Sequence, residues 1–174
     1  VYSVRSDEPQ AMELAVGLLA DRGCRRVGSI IYGQSGTGNT EIRKNGILKA
    51  LKRHALPVAE QLIRFSTEDG YVEEIGRLLQ NGVDALFCPG GNAGMVAAYA
   101  LSLYNRRVPA DISLIASERT VFSRYATPPQ TTISQNYAAQ ASAVADALDA
   151  RLSGQPFPRR TVIPYQLILR DSVR

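Results

Sequence analysis

The feature of this sequence that most constrains its fold is the alternation of short apolar runs with longer segments of helical periodicity. Residues 83–88 form one such run, and residues 68–80 before it carry Val72, Ile75 and Leu79 at helical spacing. Apolar runs without strict alternation are typical of strands that are covered on both faces. Strands that alternate with helices build parallel sheets through right-handed crossovers. The pattern therefore predicts an α/β fold, a Rossmann-like three-layer sandwich around a sheet of four parallel strands.

The same pattern places the other elements along the chain. A first helix is expected between Pro9 and Gly23. Further helices are predicted at 40–54, 92–104 and 137–152. Strands are predicted at 26–32, 62–65, 112–116, 131–134 and, interrupted by Pro164, at 161–169. Residues 118–130 have no clear period, which indicates an irregular connection. Because no strand is predicted before the first helix, we expect an α/β domain that continues upstream.

The composition argues against several classes of protein. The net charge is +4, but the basic residues come in pairs that are spread along the chain, so we do not expect this chain itself to read DNA. No apolar run approaches the ~20 residues that span a bilayer. The first eight residues are polar and of mixed charge, unlike a signal peptide. We therefore expect a cytoplasmic protein with no membrane partner.

The residues that commonly bind metals or catalyse reactions are few. Two cysteines, Cys24 and Cys88, and one histidine, His54, cannot make a conventional Cys/His zinc site, and we predict no metal and no cofactor. Both thiols are expected to be structural, Cys88 within a buried strand. His54 has no obvious serine or cysteine partner, and no pair of carboxylates stands out for acid–base work. An enzyme is therefore the weakest interpretation.

A glycine-rich loop at 33–38 lies between a predicted strand and a predicted helix, where phosphate groups commonly bind. It nearly matches the Walker A pattern, but Asn39 stands where the lysine must be, which argues against nucleotide hydrolysis. It also resembles the phosphate loop of flavodoxins, so a flavodoxin-like FMN-binding protein is one alternative. Against it, a complete helix precedes the loop, and the chain is basic and has no Trp.

A second resemblance covers nearly the whole chain. It is carried by seven segments in order, among them Gly82-Val83-Asp84-Ala85-Leu86-Phe87-Cys88 and Val108-Pro109-Ala110-Asp111-Ile112-Ser113-Leu114-Ile115; the others lie at 23–27, 43–51, 68–71, 129–135 and 167–172. Each segment alone is weak, but seven in this order with sensible spacing are specific. Together they resemble the effector-binding core of the lactose/galactose-repressor (LacI/GalR) family.

The resemblance implies an architecture and a function. Such regulators have an N-terminal helix-turn-helix domain that binds DNA and two periplasmic-binding-protein-like (type I) subdomains with a small molecule between them. The match implies a C-terminal subdomain at 1–135, a crossover helix at 136–154 that packs on the N-terminal subdomain, and a return segment at 155–174. It also implies a homodimer that contacts DNA only through the helix-turn-helix domain. With half of the cleft on the N-terminal subdomain, this chain alone is expected to bind effector weakly. The alternative within this fold is a periplasmic solute-binding protein.

The resemblance also assigns ligand-binding residues. Arg43 matches the arginine that binds ligand oxygens, because a planar guanidinium can donate hydrogen bonds to a pair of hydroxyl or carboxylate oxygens. Asn39 lies on the same loop edge, Phe65 matches an apolar or aromatic wall, Glu118 matches an acceptor carboxylate and Gln135 a polar lining residue. Three of these residues have a structural alternative: Arg43 as a surface arginine, Phe65 as core, and Gln135 as a partner of crossover backbone.

Two departures from the family pattern concern the effector. Pro89-Gly90-Gly91 replaces the usual Ala-Asn-Asp, which removes two polar side chains near the cleft. Ala116-Ser117-Glu118-Arg119 replaces the usual Gly-aromatic-Asp-Asp, which adds a longer carboxylate and a new cation. These changes leave two chemical classes of effector open, a sugar-like molecule and an anionic one.

Overall fold

The computed structural model describes residues 2–36 and 38–174, and for Glu68 the backbone only. Its strands are β1 (Ser3–Ser6), β2 (Val27–Tyr32), β3 (Ile63–Ser66), β4 (Ala85–Cys88), β5 (Ser113–Ser117), β6 (Thr131–Gln135), β7 (Arg160–Ile163) and β8 (Tyr165–Ile168). Its helices are α1 (Glu8–Asp21), α2 (Gly38–Arg53), α3 (Tyr71–Gln80), α4 (Ala93–Leu103), α5 (Thr120–Tyr125) and α6 (Tyr137–Leu152).

Six strands form the main sheet, in the order β3-β2-β4-β5-β6-β8. The first five of these run parallel, and β8 is antiparallel to β6. The chain leaves β2 toward β3 on one side and returns through α3 to β4 on the other, so the direction of winding reverses between β2 and β4. In open α/β sheets this reversal opens a crevice at the carboxyl ends of the strands.

The helices cover both faces of this sheet. On one face, α1 and α2 bury an apolar cluster that includes Met12, Ile47 and Leu51; on the other, α3 and α4 bury one that includes Ile75 and Leu101. The start of α1 is fixed by Asp7, whose carboxylate accepts a hydrogen bond from the Gln10 amide at 3.1 Å. The predicted α/β three-layer sandwich is confirmed.

A second, small sheet lies apart from the main one. It consists of β1 and β7, paired in parallel, and α6 packs against both strands. The chain passes between the two sheets at three places: from β1 to α1, from β6 to α6, and from β7 to β8 across Pro164. These three crossings meet at the carboxyl edge of the main sheet, next to its crevice.

The structure corrects four details of the sequence-based prediction. A strand, β1, precedes the first helix; it was missed because its polar residues give no apolar signal. The main sheet has six strands, not four. Residues 118–130 contain α5. The strand predicted at 161–169 is two strands in different sheets, since Pro164 has no N–H with which to continue the ladder. Within the described residues, no helix is long and apolar enough to cross a membrane.

Candidate functional site

A polar cleft of about 110 Å³ lies at the carboxyl edge of the main sheet. Its lining comes from the turn after β4, the ends of β5 and β6, and the starts of α2, α6 and β8. Three of the residues assigned by the resemblance line it together: Arg43, Glu118 and Gln135. The topology therefore places the cleft where parallel α/β sheets commonly bind ligands.

The turn after β4 requires glycine at positions 90 and 91, because of its backbone conformation and because neighbouring side chains lie close to it. Gly90 has a φ of +94° and Gly91 a φ of +50°, values that favour glycine. A Cβ on Gly90 would lie 2.6 Å from Nη1 of Arg43, and a Cβ on Gly91 would lie 3.0 Å from the Tyr32 ring. The Gly90 amide donates to Oγ of Ser117 at 2.7 Å. The sequence departure at this turn therefore brings bare backbone, an arginine and an aromatic ring together at the cleft.

Arg43 is held at the cleft by Glu8. Its Nε donates to Oε2 of Glu8 at 2.8 Å and its Nη2 donates to Oε1 at 3.3 Å. Burial alone would lower the pKa of Arg43, but the hydrogen bonds and the charge of Glu8 outweigh it, and the net pKa is raised. The guanidinium thus stays charged, and two of its three nitrogens already have a carboxylate partner.

A chain of hydrogen bonds extends this pair across all three crossings between the sheets. The Tyr165 hydroxyl donates to Oε1 of Glu8 at 2.6 Å and accepts from Nε2 of Gln135 at 3.0 Å. Glu8 begins α1, Gln135 ends β6 and Tyr165 begins β8. Burial, and next the hydrogen bond to Glu8, raise the pKa of Tyr165 to about 12. The network therefore joins the three points at which the two sheets are connected.

Glu118 is anchored from below by Arg170. Nη1 and Nη2 of Arg170 donate to the two carboxylate oxygens at 2.9 and 3.2 Å, and the hydroxyl of Thr132 also donates to Glu118. Nη1 of Arg170 also donates to the Gln130 carbonyl at 2.6 Å. Both charged side chains are mostly buried. The negative charge of Glu118 at the cleft is therefore balanced by the positive charge of Arg170.

A second and wider cleft of about 630 Å³ opens between the small sheet and the start of α2. Asn39 lines this cleft and not the first one, and Gln135 lines both. Phe65, on β3, is partly buried against the apolar cluster under α1 and α2 and lines neither cleft. Glu8, Tyr165 and Arg170 are site residues that the sequence did not indicate.

The carboxylate of Glu41, on α2, binds to the glycine-rich loop. Oε1 of Glu41 accepts a hydrogen bond from the Gly36 amide at 2.9 Å and one from the Ser35 hydroxyl at 3.4 Å. This carboxylate occupies donors that a phosphate would need. Thr37, within the same loop, lies outside the described residues. Among the residues that are described, no three His, Cys, Asp or Glu side chains are grouped so that they could hold a metal ion.

Over residues 16–173 the sequence matches the family of periplasmic binding protein-like domains. The chain belongs to this family. A relative, the HTH-type transcriptional repressor PurR of Yersinia pestis (strain Pestoides F), is 34% identical over 165 residues, which are 92% of this chain and 48% of the relative. The chain thus spans about half the length of the curated relatives it matches, and the resemblance to LacI/GalR effector-binding domains is confirmed.

Solved structures agree with this periplasmic binding protein-like fold. The transcriptional regulator CelR in complex with cellobiose superposes with a TM-score of 0.86 at 26% identity, covering 99% of this chain and 54% of that one. The transcriptional repressor ascG of Escherichia coli superposes with a TM-score of 0.85 at 22% identity, covering 97% of this chain and 62% of that one. The flavodoxin-like alternative is not favoured by these comparisons.

Proposed function

We propose that this chain is the effector-sensing part of a LacI/GalR-type transcription regulator, and that its ligand binds in the polar cleft at the carboxyl edge of the main sheet. The observation that carries the proposal is the placement of Arg43, Glu118 and Gln135 in one cleft of a periplasmic binding protein-like domain. Phe65 is not part of the proposed site. Asn39 belongs to its outer rim, in the wider cleft.

The proposed mechanism couples the cleft to the small sheet. Gln135 and Tyr165 line the cleft and also lie where the chain crosses between the two sheets. A ligand that prefers one orientation of the crossings shifts the equilibrium toward that orientation, by no more than its difference in affinity. The small sheet, α6 and the remainder of an N-terminal subdomain would move together. This extends the domain division 1–135, 136–154 and 155–174 with two changes: β1 and β7, which pair with each other, are both grouped with α6.

The proposed partners follow from the family. The DNA contact is made by a helix-turn-helix domain outside this chain, in a cytoplasmic homodimer; the relative PurR is named as an HTH-type repressor. An exposed apolar patch on α5, formed by Val121, Phe122 and Tyr125, is the surface we assign to the dimer. Binding without chemical conversion is part of the proposal, because the relatives are named as repressors and the cleft's Arg43 and Glu118 are already paired with opposite charges.

The proposal is tested with the full-length protein that contains this chain. A panel of sugars, sugar acids, sugar phosphates and nucleobases is screened by NMR for shifts of the Gly90, Ser117 and Gln135 amides. A compound that binds there should change the affinity of the full-length protein for DNA upstream of its own gene. Gln135→Ala should weaken that response, whereas Gln155→Ala, at an exposed position, should leave it unchanged. Chemical conversion of the compound, or DNA affinity that is insensitive to saturating compound, would refute the proposal.

A further inference from the structure

The formal charges around the polar cleft do not balance. Arg43 is paired with Glu8, and Glu118 is paired with Arg170. Arg119 also lines the cleft, and none of the carboxylates that the structure describes, a set without the Glu68 side chain, lies within ion-pair distance of it. Two pairs and one further guanidinium leave the cleft with one positive charge in excess.

Arg119 is exposed, and hydrogen bonds of its side chain and its backbone place it at the cleft although no described carboxylate pairs with it. Its Nε donates to the Gly91 carbonyl at 2.9 Å, and its backbone amide donates to Oγ of Ser123 at 2.9 Å. The first bond bridges the cleft from the end of β5 to the turn after β4. One edge of the guanidinium is thereby held, and the two terminal nitrogens keep their donors for another partner.

Other donors lie beside this guanidinium. Within the described chain, the Gly91 amide has no acceptor, and the Gly90 turn lies against Nη1 of Arg43. The charge of the carboxylate on this side of the cleft is already balanced, since both oxygens of Glu118 accept from Arg170. A neutral polyol needs acceptors as well as donors, whereas an oxyanion needs donors and positive charge. The cleft is better matched to the oxyanion.

We infer that the effector carries an oxyanion group, a carboxylate or a phosphate, which binds between Arg119 and the Gly90–Gly91 turn. The inference rests on the proposed function, because it names the chemical class of the ligand for that cleft. The departure from the family pattern at residues 89–91 and the cation at Arg119 act together: one exposes the Gly91 amide and the other supplies charge. Specificity for an acidic effector is the consequence.

The test uses minimal anions, since the effector itself is not identified. Backbone amide NMR spectra of the full-length protein that contains this chain are recorded during titration with inorganic phosphate and, separately, with malonate, at an ionic strength kept constant with sodium chloride. Glucose serves as the neutral probe. The variant is Arg119→Gln, and the matched control is Arg25→Gln, an exposed arginine at the amino end of β2, on the opposite edge of the sheet.

We expect saturable shifts of the Gly91 and Asn92 amides with at least one of the two anions, which also distinguishes phosphate from carboxylate. Arg119→Gln should weaken that binding about tenfold, as loss of a charged hydrogen bond does, and Arg25→Gln should leave it unchanged. Equal affinity in the two variants, no anion-dependent shift at the cleft, or glucose binding there more tightly than both anions would each overturn the inference. These results leave the proposed effector sensing intact, which is refuted separately, by chemical conversion of a bound compound or by DNA affinity that no ligand of the cleft changes.

Discussion

The two sheets of this domain differ in how much of themselves they bury. In the main sheet, β4 is buried at every residue and β2 at all but its last. In the small sheet, β7 is exposed at two of its four residues, and α6 buries only Ala143. Val144, Leu148 and Leu152 of α6 are exposed apolar side chains. One sheet has a complete core, and the other has an apolar surface without a described partner.

This difference suggests that the two sheets have different roles, one in folding stability and the other in the proposed response to ligand. Apolar burial is the main source of folding free energy, so the main sheet with α1 to α4 holds most of the stability of the chain. The small sheet is connected to the main one where the chain crosses between them, and there the Asp7 amide donates to the Ile163 carbonyl of β7 at 2.9 Å. Elements held by few apolar contacts open at low free energy. In the proposed mechanism, the small sheet is the part whose orientation the ligand biases.

The largest expected effect tests the core of the main sheet. Phe87 on β4 is completely buried, so Phe87→Ala should lower the free energy of unfolding by about 4 kcal/mol through lost burial and a cavity. Leu148→Ala, at a position on α6 that is 58% exposed, should change it by less than about 0.5 kcal/mol. Urea unfolding followed by circular dichroism measures both. Similar losses for the two variants would contradict the division of stability between the sheets.

A smaller effect is expected from the ion pair under the cleft. Arg170→Leu leaves the mostly buried carboxylate of Glu118 without its partner and should cost about 3 kcal/mol of unfolding free energy. Arg107→Gln breaks the exposed pair of Arg107 with Asp111 and should leave the free energy of unfolding almost unchanged, because solvent screens this pair. The two variants are compared by urea unfolding at neutral pH. If they are equally stable, the Glu118–Arg170 pair is not a supporting element of the main sheet.

The pH dependence of stability should report the network at the crossings. Since the pKa of Tyr165 is raised from about 10 to about 12 by folding, the unfolded chain loses this proton first as the pH rises. The stability that Tyr165 contributes is complete below pH ~10 and is lost as the pH rises toward ~12. Tyr165→Phe should therefore flatten the fall in unfolding free energy over this range. Tyr125→Phe, at an exposed position, is the control and should follow the parent curve.

The main sheet could be predicted from the sequence because its strands are apolar and its helices have a regular period. The small sheet could not. β1 contains two serines and an arginine, and its partner β7 lies more than 150 residues away, so neither local pattern nor spacing indicates the pair. The short helix α5 has only six residues, too few for a period to be recognised. Both failures have the same cause: these elements are defined by contacts distant in sequence.

The candidate site was predicted in part, through the family resemblance. Arg43, Glu118 and Gln135 meet in one cleft, but their partners Glu8 and Tyr165 lie in no matching segment, and Arg170 lies in one without having been assigned to the site. Glu8 and Tyr165 are separated by 157 positions, and only the fold brings them together. Phe65 was assigned from its position alone, and its side chain packs toward the core instead of the cleft. The residue types indicate the chemistry of a site, but which residues form it depends on how the chain crosses between the two sheets.

The smallest expected effect distinguishes the two sheets most directly. Nε2 of Gln140 on α6 donates to Oγ of Ser6 on β1, so Gln140→Ala removes a hydrogen bond between α6 and the small sheet. Global stability should fall by no more than about 1 kcal/mol, because the main sheet is untouched. Amide hydrogen exchange of Val4 and Arg5 should nevertheless accelerate, while that of Leu86 and Phe87 on β4 should stay the same. Equal changes at β1 and β4 would mean that the two sheets unfold as one unit, and effector binding would then have no separately mobile element to act on.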